Sequence, residues 1–460
     1  MTRPSFRLEG KRGEPKEGQL HGAPDRADLP IRQLNRSALQ AMLRPTAGEV
    51  SRRFITDPEI YRLELERIFA RCWVFVAHSS EIPQSNDFVT RAIGEDPVIV
   101  IRDQRMSVRV LLNSCRHRGA MIIQAAAGNA GHFTCPYHGW TYNSSGELFG
   151  IPERKLWEGV IDPSKCGLIG ARVEEYQGLI FASWDSKAPP LKDYLGGMTW
   201  YLDLVFGRTD QGLEAIGPPQ QWVVDVNWKV AFGNFIGDEY HLQTLHRLVY
   251  GHGPGRVRPG DGYQVHVENG HGVGLKSPPA DEPMHPFRLQ PEELRSELDR
   301  HLTPAQLEVL KPLRNIHGAV FPNLVFIETS LKLGADRPPV NLLSLRQLQP
   351  RGPDRFDYLS WCLVPKAAPA WRKEAARKLY VAGFGPAGTV EQDDTAVWKA
   401  ITEGSRGVIA QRSTFHYGLA LGKHEPLANW AGPGVAFPTN MTEANERAFI
   451  DRWLDLISQD

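Results

Sequence analysis

The chain has 460 residues, and its 53 Lys and Arg balance 53 Asp and Glu. A formal net charge of zero argues against a protein that works by neutralising nucleic-acid phosphates. No apolar run approaches the roughly 18 residues of a membrane-spanning helix, and Met1 to Gln19 has no apolar stretch of signal-peptide type, so no membrane partner and a cytoplasmic location are expected.

Residues 1–45 are polar, charged and rich in Pro and Gly, and read as an extended or disordered arm. From Asp57 to about Val76, apolar residues recur at helical spacing behind a capping Asp57 and Pro58, so residues 46–70 read as a helical lead-in packed on the larger C-terminal domain. From Phe88 to about Trp184 the texture is of short strands. Val98–Ile101 and Val108–Leu112 flank a turn as a hairpin, and Leu179–Trp184 is a further strand. Residues 71–190 are therefore expected to form a small all-β domain, with Pro189-Pro190 at its exit. Residues 191–460 mix strands (221–226, 323–328, 340–348, 356–364) with helices over about Asn227–Leu248, Ala370–Val381 and Thr442–Ile457. The fold class expected is α+β.

Five cysteines do not make a disulfide scaffold at this length. Two of them stand beside histidines: Cys115-Arg-His117, then 17 residues, then Cys135-Pro-Tyr-His138. Four such residues meeting by chance in a core, a Cys2His2 zinc site and a Rieske [2Fe–2S] centre all use this set. Zinc fingers pair Cys with Cys and His with His, and place a helix on the His side. A Rieske centre holds one iron by two Cys and the other by two His, which suits one Cys and one His per loop.

A second constellation is Asn234-Phe-Ile-Gly-Asp238-Glu-Tyr-His241-Leu-Gln-Thr-Leu-His246. Asp238 and His241 are i and i+3 neighbours, whereas His246 lies about 140° round an ideal helix from His241. Both histidines meet one metal only if the helix bends or loosens between them. Non-haem Fe(II) oxygenases use two His and one carboxylate and leave the other face of the metal open for dioxygen. The carboxylate is sought in Gly385-Pro-Ala-Gly-Thr-Val-Glu391-Gln-Asp393-Asp394. Gly383-Phe-Gly385-Pro-Ala-Gly388 matches the dinucleotide fingerprint, but it follows a helical stretch and contains Pro386, so nicotinamide binding is rejected there. Reducing equivalents must come from another protein.

The segments Arg53–Phe69, Arg71-Cys-Trp73, Cys115–Gly119, Cys135–Trp140, Asn227–His246 and Glu391–Asp394 resemble those of Rieske ring-hydroxylating oxygenase α subunits, nearest the biphenyl, phenylpropionate and naphthalene dioxygenase group. The resemblance implies a Rieske domain plus a catalytic domain whose antiparallel sheet is flanked by helices in a helix-grip, START-like arrangement. It implies a [2Fe–2S] cluster on Cys115, His117, Cys135 and His138, and mononuclear Fe(II) on His241, His246 and Asp394, with Glu391 and Asp393 as nearby alternatives. Asp238 would bridge a cluster His, His138, and an iron His, His241, across a subunit interface, with Asn234 on the same catalytic segment. Phe235, Leu242, Phe384 and Val390 would line an apolar pocket. Ala120 and Tyr137 stand where respiratory Rieske proteins carry an extra disulfide. Gly233 stands where close relatives have Glu.

The activity implied is insertion of both atoms of O2 into an aromatic ring, giving a cis-dihydrodiol. A ferredoxin and an NADH-dependent reductase would supply electrons, in an α3β3 assembly with a small β subunit or a homotrimer. The expected substrate is an aromatic hydrocarbon. The alternatives are an aromatic carboxylate held by Arg247, Arg256 or Arg258, Rieske monooxygenation or demethylation, and a pure electron carrier.

Overall fold

The computed structural model describes residues 36–44, 47–247, 261–277, 296–297, 300–313, 315–331 and 340–459. Most of the expected arm lies outside the described residues. Within the described part, Arg36–Met42 is helical, and Leu43–Arg44 pairs with Glu49–Ser51, which in turn pairs with Thr414–His416.

The lead-in helix α1 (Pro58–Glu64) starts where Asp57 accepts a hydrogen bond from the Glu59 N–H. It continues as a π turn to Phe69 and stops there. The expected helix to Val76 is corrected: Val74–His78 is a strand, β1, buried at every position. A run buried on all sides carries no period that separates strand from helix. Glu64 ties the lead-in to the C-terminal part. It lies 2.9 Å from Trp228 Nε1, 2.5 Å from Lys229 Nζ and 2.8 Å from Trp453 Nε1. All four side chains are buried, so removing one partner would strand a charge.

Three small antiparallel sheets come next. β2 (Asp87–Ile93), β3 (Asp96–Arg102), β4 (Val108–Leu112) and the short strand Ala127–Asn129 form one. β5 (His132–Thr134), β6 (Thr141–Asn143) and β7 (Leu148–Gly150) form the second, and β8 (Arg172–Tyr176) and β9 (Leu179–Ser183) join β1 in the third. Strand β3 shows why its four apolar residues are continuous. Val98 and Val100 face the main core, while Ile99 and Ile101 face a second core around Cys115, Phe133, Cys135, Trp140 and Tyr142. Both faces are covered, so the strand reads without alternation. Asn323 clamps β1 from the C-terminal part, donating to Phe75 O and accepting from Phe75 N, both at 2.9 Å.

The C-terminal part is built on a nine-stranded antiparallel sheet among the described residues. Its order is Leu213–Ala215, β15 (Phe356–Pro365), β14 (Val340–Pro350), β13 (Leu324–Leu331), β12 (Asn315–Val320), β11 (His271–Lys276), β10 (Gly262–Val267), Val435–Phe437, with Gln220–Val224 also paired to β15. Helices α2 (Trp228–Gly237) and α5 (Ala444–Ile457) lie on this sheet. Helix α3 (Ala370–Phe384) packs on β14 and β15, and α4 (Glu391–Ser405) comes after it. Gly383 lies in the last turn of α3, so a helix and not a strand leads into the Gly383–Gly388 match, which is an interhelical turn.

Candidate active site: a cysteine–histidine pair of loops and a two-histidine, one-carboxylate group

The two Cys-His segments are two copies of one turn. In the first, the Cys115 N–H donates to Ala120 O at 2.9 Å and the Gly119 N–H donates back to Cys115 O at 2.8 Å. In the second, the Cys135 N–H donates to Trp140 O at 2.7 Å and the Gly139 N–H to Cys135 O at 3.0 Å. Gly119 and Gly139 both have φ of +73°, where a side chain is strained. The loops leave strands of two different sheets and face each other. Both cysteines are buried, and the His117 and His138 rings stand 4.6 Å apart, nearer the surface. Trp140 stacks on His117 at 5.1 Å, and the Tyr142 hydroxyl lies 3.4 Å from Cys115 Sγ. His117 Nδ1 is buried with no hydrogen-bond partner. An inward-turned nitrogen without a partner suits a metal ligand, and two thiols inside with two imidazoles outside suit a [2Fe–2S] cluster.

The second site begins where a helix fails to continue. Asn227 caps α2 by accepting from the Lys229 N–H, and α2 ends at Gly237. The expected helix from Asn227 to Leu248 is thereby corrected; Leu248 lies outside the described residues. The stop comes from outside the segment. Gln264 Nε2 donates to Gly237 O at 3.0 Å, and Asn445 Nδ2 donates to Ile236 O at 2.7 Å, so carbonyls that would have received the next turn are already satisfied. A Cβ at Gly237 would lie 2.7 Å from Gln264 Nε2, so the position needs glycine. Asp238 then starts a 3-10 turn, Tyr240–Gln243. Its Oδ1 accepts from the Tyr240 N–H at 2.9 Å and the His241 N–H at 3.3 Å. The break therefore precedes both histidines instead of falling between them.

This geometry brings His241 and His246 onto Asp394. The ligating atoms of the three residues all lie within 4.8 Å of one another. Asp394 Oδ1 is 3.0 Å from His246 Nε2 and 3.7 Å from His241 Nε2. Asp394 sits in the first turn of α4, where the helix dipole favours a carboxylate. The two alternatives are occupied elsewhere. Glu391 pairs with Arg346 at 2.9 Å, and Asp393 reaches the other nitrogen of His246, Nδ1, at 3.5 Å. Asp238 Oδ2 lies 3.3 Å from His241 Nδ1, behind the ring.

Burial opposes charge on His241, yet Asp238 beside it and Asp394 beyond it raise its pKa to about 9. The same negative surroundings favour a cation of either kind, proton or metal ion. Burial also works against the Asp238 carboxylate, but His241 and the two backbone N–H groups hold it below its ordinary value. Gly233 lies on α2 with nothing within 4 Å of where a Cβ would stand.

A cavity of about 470 Å³ including its mouth opens on this group. Phe235, Leu242, Phe384 and Val390 line it, with Asn234 and Asp238. Part of the lining is not among the residues expected from the sequence. It is polar: Glu239, Lys276, Asn315, His317 and Arg346 also line the cavity. Lys276 Nζ lies 3.1 Å from Glu239 Oε2, and His317 Nδ1 lies 3.3 Å from Glu239 Oε1. Burial would raise the Glu239 carboxyl, but Lys276 and His317 outweigh it and hold the pKa down. Burial pushes Glu391 up to about 7 against the pull of Arg346. The one signal in the sequence for this lining is the charge of Arg346 within the strand Leu343-Ser-Leu-Arg346-Gln-Leu348. Arg247 is exposed, and Arg256 and Arg258 lie outside the described residues.

Comparison with known proteins agrees with this geometry. Residues 72–161 match the Rieske [2Fe-2S] domain, and residues 191–458 match the ring hydroxylating alpha subunit catalytic domain. The chain is 34% identical to the N,N-dimethyl phenylurea N-demethylase subunit alpha of Sphingobium sp. (strain YBL2), over 88% of this chain and 90% of that one. It is 33% identical to the biphenyl dioxygenase subunit alpha of Metapseudomonas furukawaii, over 92% and 93%. The naphthalene 1,2-dioxygenase of Rhodococcus sp. bound to indole superposes with a TM-score of 0.88 at 41% identity, over 92% of this chain and 98% of that one. Among the described residues no helix is long and apolar enough to cross a membrane. The chain belongs to the α subunits of Rieske ring-hydroxylating oxygenases, enzymes that use a [2Fe–2S] cluster, mononuclear iron and O2.

Proposed function

We propose that the chain dihydroxylates an aromatic ring, adding both atoms of O2 to give a cis-dihydrodiol. The observation that carries this is the cavity on the His241, His246 and Asp394 group, with Phe235, Leu242, Phe384 and Val390 placed to hold a flat apolar ring beside it. Residues 71–190 act as the electron store, on Cys115, His117, Cys135 and His138. Residues 191–460 hold the iron on His241, His246 and Asp394. When bound, the iron supplies an open coordination face for dioxygen beside the substrate.

This chain's own residues do the rest. Asp238 fixes the tautomer and orientation of the His241 ring through Nδ1 and raises its basicity as a ligand. Asn234 faces the same cavity and lies on the helical turn before Asp238. Asp238 is 32% exposed at its side chain despite its hydrogen bonds, and His138 also reaches the surface. This supports a ring of α subunits in which Asp238 of one meets the cluster edge of the next, with or without a β subunit. A ferredoxin and an NADH-dependent reductase supply the electrons. A plain hydrocarbon accounts for the apolar wall.

A second reading is monooxygenation or N-demethylation, favoured by the likeness to the phenylurea demethylase subunit. The test supplies the purified protein with ferredoxin, reductase and NADH and looks for a cis-dihydrodiol, which loses water in acid to give a phenol. A phenol or a demethylated amine formed directly, with no diol precursor, would instead establish the second reading.

A further inference from the structure

The turn between α3 and α4 closes on itself. The Thr389 N–H donates to Ala382 O at 2.9 Å, and the Val390 N–H donates to Gly383 O at 3.1 Å. A Cβ on Gly388 would lie 2.5 Å from Gly383 O, so the end of one helix is pressed against the start of the next. The same short stretch carries two kinds of chemistry. Phe384, before the turn, and Val390, at its end, line the cavity. Asp394 follows on the first turn of α4, where its N–H donates to Val390 O at 3.3 Å.

One side chain holds both ends of this turn. Arg346 comes from the middle of β14 and is wholly buried, out of reach of any ligand. Its Nη2 donates to Glu391, the first residue of α4, at 2.9 Å. Its guanidinium carbon lies 4.9 Å from the centroid of the ring of Phe384, the last residue of α3, and 4.4 Å from that of Phe235 on α2. Nε and Nη1 are buried with no hydrogen-bond partner, so Glu391 and the ring faces meet the charge. An ion pair this deeply buried is strongly coupled, because moving one partner leaves the other uncompensated.

Resting on the assignment of iron to Asp394 and of the cavity to the substrate, we propose that Arg346 is a positioning residue that holds an iron ligand and two pocket rings in one fixed relation. Through Glu391 it fixes the first turn of α4, and with it Asp394. Through the face of its guanidinium it fixes Phe384 and Phe235. It touches neither iron nor substrate. Iron retention and the shape selectivity of the pocket are therefore set together by one buried cation.

The test compares the holoenzyme with two variants. R346M/E391Q removes both charges together, so that neither is left buried alone. Arg346→Lys keeps a charge for Glu391 but offers no plane to the rings. The first readout is transfer of mononuclear iron to a colour-forming ferrous chelator, with absorbance of the cluster followed in the same sample. The second is the ratio of the dissociation constants of 1-methylnaphthalene and 2-methylnaphthalene, by equilibrium dialysis. Neither readout needs turnover, so failure of the dihydroxylation reading leaves both intact.

The paired variant is expected to lose mononuclear iron at least about ten-fold faster, the lower end of what support behind a ligand contributes. Its cluster absorbance should stay unchanged, and its ratio for the two arenes should shift by at least about three-fold. Arg346→Lys should recover most of the iron retention while the ratio stays shifted; that split is not expected of a merely structural role. The parent's iron retention and arene ratio in the paired variant overturn the proposal. So does loss of the cluster in step with the mononuclear iron, which would show general loosening of the fold. Recovery of both readouts by lysine would overturn the part played by the guanidinium face. A parent chain that binds neither arene would overturn the reading of the cavity as an arene site, and iron retention alone would then decide the hold on Asp394.

Discussion

Asp238 Oδ2 stands 3.3 Å from His241 Nδ1, on the side of the ring away from Asp394. One carboxylate orients the imidazole and the other faces it across the metal position. Contacts of the first kind typically govern metal affinity or activity by about 10–100-fold. Asp238→Ala is therefore expected to keep a normal Rieske spectrum while turnover falls by about that factor or more. Visible absorbance and electron paramagnetic resonance of the cluster, read beside turnover, check this. Full turnover in the variant would sink the bridging role.

Asp394 and Asp393 are adjacent in sequence but differ in what they reach. Asp394 closes the group within 4.8 Å, whereas Asp393 lies at the opposite nitrogen of His246. Asp394→Asn is expected to lose the mononuclear iron and keep the two irons of the cluster. Asp393→Asn is expected to retain all three. Iron per chain, measured after dialysis, separates the two; loss of iron from the Asp393 variant alone would reverse the assignment.

The two cluster loops make unequal demands on their glycines. Both have φ of +73°, but a Cβ on Gly139 would lie 2.9 Å from Pro152 Cγ, while one on Gly119 meets only Ser114 Oγ at 3.8 Å. Gly119→Ala is expected to cost about 1–2 kcal/mol from backbone strain alone. Gly139→Ala should cost more, because Pro152 must also move. Loss of cluster absorbance on heating should come earlier in Gly139→Ala than in Gly119→Ala, and both before the parent chain.

His271 ties the catalytic sheet to the helix near Tyr194. Its Nε2 lies 3.0 Å from Tyr194 O, and its Nδ1 accepts from the Phe321 N–H at 3.0 Å. The neutral ring satisfies both contacts. A second proton would set an N–H against an N–H, and burial lowers the pKa to about 4. The unfolded chain takes its proton near the ordinary value of about 6.5. The contribution is thus complete above about pH 6.5 and is lost as pH falls towards 4, to a limit of about 3 kcal/mol. Denaturant unfolding at pH 7.5 and pH 5 should show the loss, and His271→Gln should flatten it. An unchanged slope in that variant would place the acid sensitivity elsewhere.

The parts legible in the sequence are those carried by short segments. Cys115, His117, Cys135 and His138 stand in two six-residue turns, each fixed by its own glycine, so spacing alone exposes them. His241 and His246 share one segment, although their carboxylate comes from 148 residues away. The break before them was not legible, because Gln264 and Asn445 cause it from a distant strand and helix. The polar part of the lining is legible only at Arg346, a charge within a strand; Glu239, Lys276, Asn315 and His317 come from several elements, and each alone reads as an ordinary strand or loop residue. Only the folded sheet brings them to one cavity.

Dioxygenation is tested most directly by product mass under isotopically heavy dioxygen, with ferredoxin, reductase, NADH and an arene panel that includes aromatic acids and amides. A product carrying two heavy oxygens on adjacent ring carbons is expected. A product carrying only one would contradict dioxygenation and establish monooxygenation.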